Sequence, residues 1–189
     1  YTTGVLKGSG AAGGIGGVLG GSGYIKNCYS SATVIDQIAN NTGKAGGIIG
    51  RVNGNASGSS IENCYTSGDI NAIGGGNAGG IVGKVDGGKL VIKNCIAWNS
   101  MLVSTDKAKV GRIVGGTANA TYENCYAYDG MILKAGEATF TVSDETSPSG
   151  SSFQGVAKSA NELKNTVINW DSSLWKEGSN GYPVFKWSK

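Results

Sequence analysis

Every cysteine in this chain follows an asparagine, and all four pairs stand in one local setting: IKNCYS from Ile25, IENCYT from Ile61, IKNCIA from Ile92 and YENCYA from Tyr122. Cys28, Cys64, Cys95 and Cys125 therefore mark a period of 30–36 residues. A second landmark keeps step with the first: GGIGGVL from Gly13, GGIIGRV from Gly46, GGIVGKV from Gly79 and GRIVGGT from Gly111. Two landmarks repeating together define an internal repeat, and periods of this length belong to solenoids, propellers or arrays.

Helix is disfavoured inside the unit. Glycine supplies 34 of 189 residues, and the apolar spacing is two rather than 3.6. Ile48, Gly50 and Val52 share one strand face, as do Ile15, Gly17, Leu19 and Ile81, Gly83, Val85. The other face carries Ile49 and Arg51, or Val82 and Lys84. This predicts a short strand with Ile and Val inward and a glycine where the coil is narrow.

The Asn-Cys segment needs a corner. Strict alternation would place each cysteine on the face of Lys26, Glu62, Lys93 or Glu123, an unfavourable place for a residue that usually buries. Asn27, Asn63, Asn94 and Asn124 can take the left-handed backbone conformation and bond to the same side chain one coil away. With such a corner the aliphatic residue points in, the charge out and the cysteine in again. The expected fold is an all-β, right-handed parallel β-solenoid (β-helix) of about four coils, each of about 30 residues, with like positions stacked about 4.8 Å apart. A β-trefoil or propeller is the rival that period alone permits; stacked columns favour the solenoid. Cys28, Cys64, Cys95 and Cys125 are expected as buried free thiols, since stacked Cβ atoms lie beyond the roughly 3.5–4.5 Å a disulfide wants. Lys26, Glu62, Lys93 and Glu123 alternate in sign, so stacked neighbours attract. Past each cysteine an outward residue follows (Tyr29, Tyr65, Ile96, Tyr126), then a small inward one (Ser30, Thr66, Ala97, Ala127).

Histidine is absent, which removes Ser-His-Asp triads, Cys-His dyads and HExxH zinc helices. The cysteine spacing does not suit zinc, which wants paired Cys-x2-4-Cys; neither a metal nor a cofactor is expected. The GSGAAG stretch at Gly8, Gly10 and Gly13 matches a dinucleotide fingerprint but sits in the repeat, without a βαβ unit. Asp69, Asp86, Asp106 and Asp129 form no calcium-loop pattern and read as turn aspartates. A net charge of +3 with only Arg51 and Arg112 as arginines argues against nucleic acid. No apolar run approaches the ~18 residues of a membrane span. The glycosylation tripeptides Asn40-Asn41-Thr42, Asn55-Ala56-Ser57 and Asn119-Ala120-Thr121 mark loops.

The units AGGIIGRV…SSIENCYTSGDI and AGGIVGKV…LVIKNCIAWNSM resemble the GLUG repeat of secreted and surface-anchored bacterial proteins, of the Bacteroides type, over roughly residues 4–133. The fourth copy departs from it: Arg112 replaces the second glycine and Tyr122 the isoleucine. The resemblance implies a secreted or cell-surface, adhesin-like module without catalysis. Residues 1–133 are then the repeat region and 134–189 a capping segment of the same domain. In that segment KAGEATFTVSDETSPSGSS reads as a strand and polar loop, and VAKSANELKN as a short helix starting near Ser159 or Asn161. The tail VINWDSSLWKEGSNGYPVFKW, with Trp170, Trp175 and Trp187, reads as a cap over the last coil, or as a sugar-binding platform.

Three functions follow in order: an adhesin-like spacer or recognition module, a carbohydrate-binding module using Tyr29, Tyr65, Trp98, Tyr126 and Tyr128 as an outward aromatic column, and a small β-helix polysaccharide-active enzyme. The partner would be a glycan or a host or microbial surface protein. Contact with a membrane would come only through an anchor outside this chain, and end-to-end self-association of coils is a further option. Tyr1–Gly10 reads as the remnant of an earlier coil, so the protein is expected to continue upstream.

Overall fold

A computed structural model describes residues 1–55, 58–87, 89–116, 120–142 and 153–188. The chain winds as a parallel β-solenoid of about four coils. One sheet stacks Val5–Gly8, Thr33–Asp36, Ile70–Ala72, Met101–Ser104 and Ile132–Ala135 in parallel, with Ala138–Phe140 added antiparallel. A second stacks Tyr24–Lys26, Ser60–Glu62, Leu90–Lys93 and Ala120–Glu123. A third stacks Tyr29–Ser30, Tyr65–Thr66, Ile96–Ala97, Tyr126–Tyr128 and Val156–Lys158. Two shorter stacks carry the alanine-glycine and glycine-valine strands.

The corner between the second and third sheets is built by the asparagines. Asn27, Asn63, Asn94 and Asn124 have φ of 54°, 52°, 51° and 51°. Their side chains form a ladder: the Nδ2 of Asn63, Asn94 and Asn124 donates to the Oδ1 of Asn27, Asn63 and Asn94, at 3.2, 3.0 and 3.1 Å. The ladder has a direction, and Asn27 at its end only accepts. Behind the corner, Cys64, Cys95 and Cys125 are fully buried and Cys28 half-buried, all four free. Each thiol donates to the carbonyl two residues earlier, which the corner turns inward: Cys28 to Lys26, Cys64 to Glu62, Cys95 to Lys93 and Cys125 to Glu123. Burial pushes the Cys125 thiol up to about 12 and raises Cys64 as well. The charged column pairs as stacked opposites, Lys26 with Glu62 at 3.8 Å and Lys93 with Glu123 at 2.8 Å.

The glycine strands depart from simple alternation. Ile49 and Val82, expected outward, are buried beside Ile48 and Ile81. The cause is a corner: between Gly46 and Ile49 the chain passes from one sheet to the next, and the N–H groups of Ile48 and Ile49 both donate to the Ile81 carbonyl, at 2.9 and 3.1 Å. The register is the same on both sides, Gly46 with Gly79 and Ile49 with Val82, so the alternation restarts with no residue added. Glycine is required nearby for space: a Cβ at Gly80 would lie 2.2 Å from the Arg112 carbonyl of the next coil. At Arg112 the last complete coil has ended, so a side chain fits. Its guanidinium donates to the carbonyls of Gln154 and Gly155, at 3.0 and 2.9 Å, and latches on the closing segment.

That closing segment does two jobs. Val156–Lys158 pairs with Tyr126–Tyr128, and the Phe153 carbonyl accepts from Ile113 and Val114, which closes the last coil. The aromatic tail does not cap the end, as expected, but folds back along the flank. Helix α1, Ala160–Trp170, starts at Ser159, whose N–H and hydroxyl both donate to Glu162. A hairpin of Trp175–Glu177 with Pro183–Phe185 follows. Most of the predicted polar loop, the tripeptide Asn55-Ala56-Ser57 beyond Asn55, and Asn119 lie outside the described residues.

Asn63→Ala should cost about 2–4 kcal/mol in urea denaturation, from left-handed strain plus two lost amide bonds. Asn63→Gly should cost roughly half that, because glycine relieves the strain; equal losses would contradict the corner. In native protein, Cys28 should react first with a thiol reagent and Cys64, Cys95 and Cys125 only on unfolding; rapid reaction of all four would contradict the buried column.

Candidate functional site

The third sheet points its outward side chains at the folded-back tail. Tyr29 and Tyr65 stack at 5.1 Å with rings 5° apart, and Tyr1 continues the stack at 4.8 Å. In-register pairing imposes this, since Tyr29, Tyr65, Ile96 and Tyr126 occupy one position in successive coils. Over the stack lie Trp175, 5.8 Å from Tyr65, and Phe185, 5.3 Å from Tyr29. The Tyr65 hydroxyl donates to the Pro183 carbonyl. Leu163 and Val167 of α1 complete this cluster.

The expected exposed column is thus corrected. Tyr29, Tyr65 and Trp98 are 5%, 1% and 5% exposed, and only Tyr126 and Tyr128 keep intermediate exposure. They point away from the bore, but the tail covers them because six or more large apolar rings could not stay in water without cost. Burial raises the Tyr29 and Tyr65 hydroxyls above the usual phenol range. Tyr126 is instead overlaid by the Lys158 ammonium, 4.2 Å from its ring centre.

The covering is incomplete at one edge, where a cleft of about 350 Å³ opens between the sheet and the tail. Trp98 and Tyr128 line it from the solenoid; Asn161 and Lys164 line it from α1, and Asn180 and Tyr182 from the hairpin turn. Trp98 and Tyr182 stand 4.7 Å apart with rings tilted 55°. The Tyr128 ring lies over Gly130, where a Cβ would come within 2.7 Å of it. Asn180 Oδ1 accepts from the Tyr182 N–H at 3.2 Å, which fixes the turn. The Lys164 ammonium is held by Glu177 at 3.1 Å. Tyr182 and Asn180 also line a second cleft of about 240 Å³ with Tyr1, Tyr29 and Tyr65.

Of the five aromatic positions singled out in the sequence, the structure brings Trp98 and Tyr128 together at this cleft. Tyr182 belongs to the aromatic tail that reads as a cap or a sugar-binding platform, whereas Asn161, Asn180 and Lys164 carried no sequence signal for the cleft. They lie more than 30 residues beyond Tyr128, and only the fold-back joins them. The aspartates do not converge. Asp86 pairs with Arg51 and with Lys84, and Asp106 caps a short turn by accepting from Ala108 at 2.9 Å. Among the described residues no three His, Cys, Asp or Glu side chains group to hold a metal ion. The GSGAAG glycines lie in and beside the first-coil strands Val5–Gly8 and Ala12–Gly13, not before a helix. The cleft thus offers ring faces, phenol hydroxyls and side-chain amides, which suit binding.

No protein-family model matches the chain, and no curated protein does. A solved crystal structure does match. It is a Bacteroides ovatus protein named "putative immunoglobulin A1 protease", 51% identical, with a TM-score of 0.89. The match covers all of this chain and 57% of that one. The fold is therefore shared with a Bacteroides protein along the whole chain. The match also overturns the expectation of an adhesin-like module without catalysis, since the similar protein carries a protease name. The physical reason for the error is that repeats report architecture, and architecture does not report activity.

If the tail is cemented by this cluster, Trp175→Ala should cost about 3–5 kcal/mol and Tyr65→Phe about 0.5–1.5 kcal/mol in denaturation. A Trp175→Ala protein with unchanged stability would contradict the packing described.

Proposed function

We propose that this chain serves in proteolysis of an immunoglobulin, with its solenoid and folded-back tail engaging the protein substrate, at the bacterial surface or outside the cell. The observation that carries this reading is 51% identity along the whole chain to the protein bearing the immunoglobulin A1 protease name. The chain spans 57% of that protein's length, so the activity of the longer protein is part of the proposal. Reading the repeats as GLUG-type belongs to it too, and is supported by AGGIIGRV and AGGIVGKV with their Asn-Cys partners.

The geometry supports engagement of a substrate by this chain. The cleft between Trp98, Tyr128 and Tyr182 is the concave, preformed surface on which a substrate feature could seat.

Immobilised chain should bind immunoglobulin A1 saturably, and Tyr182→Ala should weaken that binding at least about tenfold, or about 1.4 kcal/mol. Mass spectrometry of the incubated immunoglobulin then assigns the role: discrete new termini place hydrolysis in this chain, and intact bound immunoglobulin places its part in holding substrate. Absence of both binding and cleavage would overturn the reading.

A further inference from the structure

We propose that the cleft between Trp98, Tyr128 and Tyr182 is a saccharide subsite that takes a neutral pyranose, with the Tyr128 and Tyr182 ring faces, the latter backed by Trp98, receiving the sugar's C–H face and Asn161 and Asn180 its hydroxyls. This deepens the reading above, on which the glycan's carrier rests, while the cleft's chemistry stands without it.

Four observations select this ligand class. First, the cleft wall is aromatic: Tyr182 packs on the buried Trp98 at 4.7 Å with the rings tilted 55°, and the partly exposed rings of Tyr182 and of Tyr128, seated over Gly130, are the ones the cleft reaches. Their open faces present a flat apolar surface to a flat apolar ligand face. Second, the polar groups at the rim are neutral. Ser100, Asn161 and Asn180 are exposed there and carry paired donors and acceptors, which match vicinal hydroxyls. Third, the one charged lining residue, Lys164, is already paired with Glu177 at 3.1 Å, which disfavours an anionic ligand. Fourth, the strand that carries Tyr128 offers a peptide no edge to join. Tyr126–Tyr128 is paired on one side by Ile96–Ala97 and on the other by Val156–Lys158. The cleft holds about 350 Å³, the lower range of small-molecule sites and enough for a sugar unit or two.

The site is also built without cost to the fold. The Trp98 backbone is fixed by its main-chain N–H donating to the Thr66 carbonyl at 2.7 Å. The Asn161 side chain is exposed, so its truncation leaves the cluster around Trp175 intact, whereas the Asn180 side chain also holds the turn through the Tyr182 N–H.

The test titrates the 189-residue chain with galactose-, N-acetylglucosamine- and mannose-terminated oligosaccharides, read by tryptophan fluorescence and by calorimetry. At least one series should bind saturably. The amide variant Asn161→Ala should lose at least about tenfold in affinity with an unchanged melting temperature, whereas Asn180→Ala also removes the acceptor of the Tyr182 N–H and should lower both. Tyr182→Ala should lose as much, and Asn161→Ala keeps the test open if that variant is destabilised. No saturable binding, or binding unchanged in the amide variant, overturns the proposal. Immunoglobulin A1 stripped of its glycans separates the two readings. Retained immunoglobulin binding with no binding of free sugars sinks the saccharide subsite alone. Sugar binding without any immunoglobulin binding sinks the protease reading alone.

Discussion

The left-handed asparagine corner is the constraint on which the rest depends. A β-strand alternates faces, so a bore that takes an aliphatic residue, then excludes a charge, then takes a cysteine two residues later must reset its phase once per coil. Four asparagines near φ 50° perform that reset. The conformation costs an ordinary residue about 1–2 kcal/mol; asparagine tolerates it and adds a side-chain bond to the coil before. Repetition makes the small terms cooperative in register. A slip of one residue would break the amide ladder, the charge pairs and the cysteine column together.

The same register creates the flank on which the candidate site is built. Because like positions stack, one aromatic per coil becomes a wall of rings, and a wall of rings must be covered. The covering segment comes from the opposite end of the chain. Arg112 and the strand Val156–Lys158 fix where it leaves the last coil, and the capping box at Ser159 starts the helix that carries it back. The cleft is what remains where the tail meets the wall at Trp98 and Tyr128. Fold and site are therefore linked: weakening the stack loosens the cleft without touching its lining.

The repeated part of the chain is legible from sequence because each position is written four times. The Asn corner, inward cysteines and paired charges all follow from comparing copies. Ile49 and Val82 were not legible, since the corner that buries them depends on where the Ile81 carbonyl of the next coil points. Asp36 was missed for a similar reason. Its buried carboxylate accepts from Gly10, Ile38 and Lys44, residues of two turns that have no fixed spacing. The tail occurs once, so its aromatics announced burial but not the surface they would meet. That is why Trp98 and Tyr128 could be singled out, Tyr182 only as one aromatic of a tail with two readings, and Asn161 and Asn180 not at all. Function was least legible, since repeats of this kind carry architecture and a likeness to a named protein supplied what pattern alone did not.

Side-chain amide hydrogen exchange, followed by NMR on uniformly labelled protein, tests the central claim most directly. The ladder runs one way, so the Nδ2 protons of Asn63, Asn94 and Asn124 are each donated to the preceding coil, whereas Asn27 only accepts. Among the four corner asparagines, protected amides at Asn63, Asn94 and Asn124 and a freely exchanging Asn27 are the predicted result. Four amides that exchange alike at the solvent rate would contradict the corner, and with it the register that positions the aromatic wall and the cleft.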